Sequence, residues 1–458
     1  MTAVKSLTQG KWVALVLIAI YTGTWMFLAR DLTFYWDDYF ILESQFNDSL
    51  LELMASGVNG NWWPLSTIIT WVEVRLFGTW YAGYILVNTL LSAIIGLLLW
   101  MIAKDLVPKN TPKYLLVPLL IYPLTLQVSV NSTVLTTSWP MSVALALLAA
   151  LAITRHWHPS LVVIFMMMSW MAMSGMFVIN AAIIAAVALV YWARTDTLSR
   201  RYVFLGIAMI IAGVGGTLIG YQIMRYAPSN DLVPPGVGGF LVDNLNGASL
   251  VEPVTSLSVG WLMSPLIPFA YVYETVITTT AIFVASHILI LITVSLAVGA
   301  VGYLLVRKSP RVQRAFKDLL PLVAILVGPV VLLAAVMAIA RSENMFPPRY
   351  GIMWLIPVGL LWLLLTATLA KTSTGVQRVL GVLGSGILLF AVVMFPTTAT
   401  QAIDVDRPRL EQSAKQDELI SLCIAGQEVA PLETMAPGLE SAKFCPLMRE
   451  LHAVWWFR

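Results

Sequence analysis

Two adjacent carboxylates, Asp37 and Asp38, follow Trp36 just beyond the first apolar run of the chain. A carboxylate pair beside a bilayer is costly to hold there and brings no packing benefit that Ser or Asn would not supply. Such a pair suits general-base chemistry on an acceptor hydroxyl. Asp37 is the expected base, with Asp38 orienting it or binding the acceptor. Acids this close also titrate as a coupled unit. A divalent ion such as Mg or Mn on the pair is a further option, although no third ligand stands out nearby. The plain alternative is that both acids cap a helix beginning near Tyr39, where negative charge complements the helix dipole. The ring of Trp36 beside them favours a pocket.

The elements that must position this pair follow from composition. Hydrophobic residues make up 59% of the chain and charged residues 11%. Mean hydropathy is +0.83, whereas a soluble domain carries about 25% charged residues. The expected fold is an all-α integral membrane protein. Apolar stretches fall near 12–29, 80–103, 114–130, 138–154, 159–173, 175–193, 202–224, 277–306, 319–340, 350–370 and 379–398, about 11 spans. The first run lacks a small-residue cleavage site and reads as a retained span rather than a signal peptide. The run from 159 to 193 is continuous and is divided at Ser174-Gly175; one long tilted helix is the competing reading. Of the 27 basic residues, 16 fall on one side of these spans, with only Asp105, Asp196 and Asp318 against them. The positive-inside rule then puts the N-terminus in the cytoplasm and the C-terminus outside, in the inner (plasma) membrane.

Three outer segments are longer than ordinary connections of about 2–8 residues. The first, 30–79, holds the Asp pair and two amphipathic runs, Phe40 to Met54 and Pro64 to Phe77, expected to lie in the membrane interface. The second spans about 225–274 and is rich in Gly, Pro and Asn. The third is the polar tail 399–458, which holds the only two cysteines, Cys423 and Cys445. One disulfide or two free thiols are both open, with an oxidising compartment favouring the former. The final Trp455-Trp456-Phe457 fits an interfacial anchor.

Trp36-Asp37-Asp38-Tyr39 after span one, then Asn59-Gly60-Asn61-Trp62-Trp63-Pro64-Leu65-Ser66 before span two, resembles the GT-C superfamily of polytopic glycosyltransferases. That superfamily includes protein O-mannosyltransferases, aminoarabinose transferases and O-antigen glucosyltransferases. The resemblance covers roughly the first seven spans, with an echo at Phe346-Pro347-Pro348-Arg349-Tyr350. It implies a GT-C-like catalytic membrane module over 1–226, an outer loop over 227–276, a second membrane module of spans eight to eleven over 277–398, and the tail over 399–458. It also implies transfer of a sugar from a polyprenyl-phosphate donor to a cell-envelope glycan, lipid-linked glycan or protein, with inversion. The pair here is Asp-Asp rather than the Asp-Glu of the mannosyltransferases, and no large soluble C-terminal domain follows, so no single activity of the superfamily is singled out.

Chemistry of that kind needs cations on the leaving phosphate, best supplied by the planar fork of Arg. Arg341 and Arg349 bracket one short outer loop and, with Tyr350 and Arg225, are the phosphate-binding candidates. Span-end anchoring is their plain alternative. Trp36, Asn61, Trp62, Trp63 and Asn131 are the candidates for sugar or acceptor contact, the tryptophans being equally at home as interfacial aromatics. The rival classes are a flippase for polyprenyl-linked glycan, a polymerase or ligase, and another polytopic transporter. The 225–274 loop lacks the His expected of polymerases and ligases, and no internal repeat or mid-span charge favours a transporter. Nothing in the charge pattern points to nucleic acid.

Overall fold

The computed structural model describes residues 30–34, 37–56, 62–106, 137–173, 410–436, 439 and 441–454, with scattered positions between 16 and 27 and between 215 and 223. All regular structure among them is helical. Helix α1 runs Asp37–Asn47, α2 Leu50–Ser56, α3 Pro64–Phe77, α4 Tyr81–Leu106, α5 Ser138–Thr154 and α6 Pro159–Ala172. In the tail, residues 410–424 are helical (α7), followed by α8, Ser441–Ala453.

Local chemistry explains where these helices start and stop. The apolar periodicity from Phe40 to Met54 suggests one helix, but the chain breaks it at Asp48-Ser49 into α1 and α2. Ser49 opens α2 with a capping box: its backbone N–H donates to Glu52 Oε2 at 2.8 Å, and its Oγ accepts from the Glu52 N–H at 3.3 Å. The reciprocal pair satisfies two donors that a helix start would otherwise leave bare. Pro64 takes the first turn of α3, where its missing N–H is no loss. Gly78 ends that helix at φ 51°, a left-handed conformation that suits glycine, with its N–H donating to the Val74 carbonyl.

Polar side chains are buried between the packed helices alongside the apolar ones. On α3 the buried residues are Pro64, Ser66, Thr67, Thr70, Glu73 and Val74, whereas Val72 is 41% exposed. On α4 the buried positions include Asn88, Thr89 and Ser92, while Leu90 is 49% exposed. Hydroxyls close the helix interfaces. Ser142 Oγ donates to the Ser169 carbonyl at 2.9 Å, Ser169 Oγ returns a bond to the Ser142 carbonyl at 2.8 Å, and Ser66 Oγ donates to the Ala172 carbonyl at 2.6 Å. Small polar residues at the helix interfaces, with apolar side chains such as Val72, Leu90 and Ile94 left exposed, fit an apolar solvent around the helices. By length and composition, Tyr81–Asp105 is the one described helix able to cross a membrane.

Helices α4 and α5 run the same way. Thr137, before α5, meets Glu73 near the start of α4, and Arg155, after α5, pairs with Asp105 near the end of α4 at 2.9 Å. The chain segment that returns between them lies outside the described residues. Helix α6 folds back along α5 and ends at Ala172, with Met173 in extended backbone, next to the Ser174-Gly175 division point. At 14 residues it is about 21 Å long, less than a bilayer core of about 30 Å.

The tail packs onto the 30–79 segment rather than standing apart. Leu32, Phe34, Tyr39, Leu42, Tyr81 and Tyr84 share one core with Ile420, Phe444, Met448 and Leu451. Inside that core Cys423 and Cys445 are joined in a disulfide that ties α7 to α8. Lys443 on α8 pairs with Glu43 on α1 at 3.0 Å.

Candidate active site

Helix α1 begins at Asp37, so the carboxylate pair occupies the first turn, where backbone N–H groups lack helical partners. The side chain of Asp37 lies outside the described residues, as do Trp36, Asn61, Asn131, Arg225, Arg341, Arg349 and Tyr350. Asp38 is fully buried, 0% exposed. Its charge is felt by two buried phenols, Tyr39 and Tyr84.

Those two phenols belong to an aromatic cluster built on Phe34. The Phe34 ring sits edge-on to Tyr39, Tyr81 and Tyr84, with centroids 6.3, 5.2 and 5.7 Å away. Tyr84 Oη donates to the Gly78 carbonyl at 3.0 Å, tying the start of α4 to the end of α3. Tyr39 Oη accepts from Gln416 Nε2 at 2.8 Å, a bond to the tail. Burial pushes the Tyr39 phenol far above its ordinary range; the bond from Gln416 opposes this, and the charges of Asp38 and Asp417 add to it.

A third acid joins this neighbourhood. Glu73 is 3% exposed, accepts from Thr137 Oγ1 at 3.4 Å through Oε1, and has no partner at Oε2. Burial pushes its carboxyl from an ordinary 4.5 up to about 8, with the Thr137 bond opposing. At neutral pH it therefore stands mainly as the neutral acid, while Tyr84 feels both Glu73 and Asp38. Ser66, Thr70 and Glu73 recur at helical spacing on one face of α3. That polar stripe is the sequence signal that marks Glu73. No comparable signal marks Gln416, which lies 377 residues from Tyr39.

Two of the candidate tryptophans, Trp62 and Trp63, lie among the described residues. Trp62 donates its indole N–H to the Met54 carbonyl at 2.8 Å and lies against the Trp170 ring at 5.5 Å. Trp63 precedes α3, is 7% exposed, and has no partner for Nε1. Two arginines near the pair are occupied close to home. Arg30 pairs with Asp31 at 3.0 Å, and Arg75 lies 3.8 Å over the Trp71 ring. Among the described residues no group of three or more His, Cys, Asp or Glu is arranged to share a metal ion.

No protein-family model matches this chain, and neither a curated protein nor a solved structure matches it.

Proposed function

We propose that this chain is a GT-C-like membrane glycosyltransferase. In this reading it moves a sugar from a polyprenyl-phosphate donor to an extracytoplasmic acceptor hydroxyl, with inversion. The observation that carries the reading is the Asp37-Asp38 pair at the head of α1, with Asp38 fully buried. A buried carboxylate has no route to an incoming hydroxyl, so Asp38 suits orientation and Asp37 suits the base. The acceptor oxygen attacks the anomeric carbon as its proton passes to the Asp37 carboxylate. The bond from that carbon to the phosphate oxygen breaks, and the polyprenyl phosphate leaves with the electron pair. Arg341, Arg349, Tyr350 and Arg225 are the groups proposed to hold that phosphate.

Two further features support a membrane-surface reaction. The exposed apolar side chains of Val72, Leu90 and Ile94 suit lipid outside α3 and α4. The tail touches α1, so a chain that crosses the membrane at α4 must cross an even number of times between the 30–79 segment and the tail. The proposed topology meets that condition, since ten of the 11 expected spans follow the first.

The test is transfer of radiolabelled sugar from a panel of polyprenyl-phosphate sugars in membranes, comparing wild type with Asp37→Asn and Asp38→Asn. A loss of about a hundredfold or more in at least one variant is the expected scale for removing a general base. Full activity in both variants removes the carboxylates from the mechanism. Absence of transfer from every donor in the panel moves the flippase and transporter readings forward.

A further inference from the structure

We infer that Gln416, in the C-terminal tail, is a positioning residue for the Asp37-Asp38 pair, acting through the hydroxyl of Tyr39. This inference rests on the transferase reading for its consequence in catalysis, though not for the contact itself.

Gln416 and Tyr39 are both fully buried. The amide of Gln416 is used at both ends: Nε2 donates to Tyr39 Oη at 2.8 Å, and Oε1 accepts from the Leu432 N–H at 2.9 Å. With its oxygen engaged by a backbone donor, the amide has one orientation, and its N–H is aimed at the phenol. Tyr39 follows Asp38 directly, in the first turn of α1, so a fixed phenol fixes the frame that carries the two acids. Two more contacts brace the same helix against the tail, and a third ties down the segment that leads into it. Phe444 meets the Tyr39 ring edge-on at 6.1 Å, Lys443 pairs with Glu43, and Thr33, just before the acids, hydrogen-bonds Asp417. The disulfide makes α7 and α8 one body, so Gln416 and Phe444 bear on Tyr39 together. A tail that served only as a cover would need apolar burial; a buried amide satisfied at both ends specifies direction as well.

The experiment uses the full chain in nanodiscs, with Gln416→Leu, Tyr39→Phe and the double variant. Disulfide formation serves as the check that the tail is folded. Two readouts are taken: hydrogen exchange over residues 37–47, and kcat and KM with whichever polyprenyl-phosphate sugar the wild type uses. Exchange over 37–47 is expected to rise about five- to tenfold in each single variant while α4 is unchanged. The kcat is expected to fall about tenfold with donor KM within about twofold, because a misdirected base loses transition-state stabilisation rather than binding. The double variant should lose no more than the worse single one. Unchanged exchange over 37–47 in Gln416→Leu, with the disulfide formed, overturns the inference. Raised exchange with unchanged kcat overturns it equally. Raised exchange in a protein whose wild type transfers no sugar upholds the positioning of α1 by the tail and removes the transferase reading instead.

Discussion

At Glu73 the protein keeps an ionisable carboxyl where the charged form has no counterion, and the consequence is a dependence of stability on pH. The unfolded chain ionises this group near its ordinary 4.5, whereas the folded chain holds the proton until about 8. Between those values the folded state binds more protons than the unfolded one, so stability falls as pH rises through that window and levels off above it. Glu73→Gln keeps the shape without the ionisation. Thermal unfolding of both proteins from pH 5 to 9 should show the wild type losing stability relative to Glu73→Gln by an amount on the order of a few kcal/mol. A constant difference across that range would mean that Glu73 ionises normally. The polar stripe that marks Glu73 is readable along the chain; its depth is not, because burial is set by α5 and Thr137, more than sixty residues further on.

At the scale of elements, sequence and structure part company between Phe40 and Met54. Apolar spacing continues across the break between α1 and α2, so periodicity alone suggests one helix. The sequence carries the stop in Ser49-Leu50-Leu51-Glu52, a capping box whose local hydrogen bonds outweigh one more turn of continuous helix. Ser49→Ala is expected to cost about 1 kcal/mol in stability, measured by denaturation in detergent, with the loss confined to α2 in hydrogen exchange. Helix α3 was readable in its limits and in its apolar face, Leu65, Ile68, Ile69, Val72 and Leu76. The structure adds that the opposite, hydroxyl-bearing face packs as well, through Ser66 onto Ala172, while Leu65 and Ile69 of the apolar face pack near Met141 and Leu145. The Asp pair was legible because two neighbouring acids are rare beside an apolar run. The partners of its helix were not, because Gln416, Lys443 and Phe444 are unremarkable residues until the fold brings them there.

For the whole molecule, the shared core requires the 30–79 segment and the tail to occupy one compartment. A reporter enzyme that folds only under oxidising conditions, fused after Arg458, is expected to be active, and an active fusion within the 307–317 basic stretch would contradict the proposed topology. Cys445→Ser opens a loop with a sequence separation of 22 residues. By the loop-entropy relation that change is expected to cost about 3 kcal/mol, read as a lowered unfolding midpoint of α7 and α8.

The reach of the Gln416–Tyr39 bond also sets an order in time. Helix α1 leaves the ribosome early, and its partner follows 377 residues later. At roughly 5–20 residues per second, translation leaves the acids without their brace for about 20–75 s. A chain that stops short of the tail therefore carries every residue of the carboxylate pair and remains unfinished. The tail is made long after the helix that it braces.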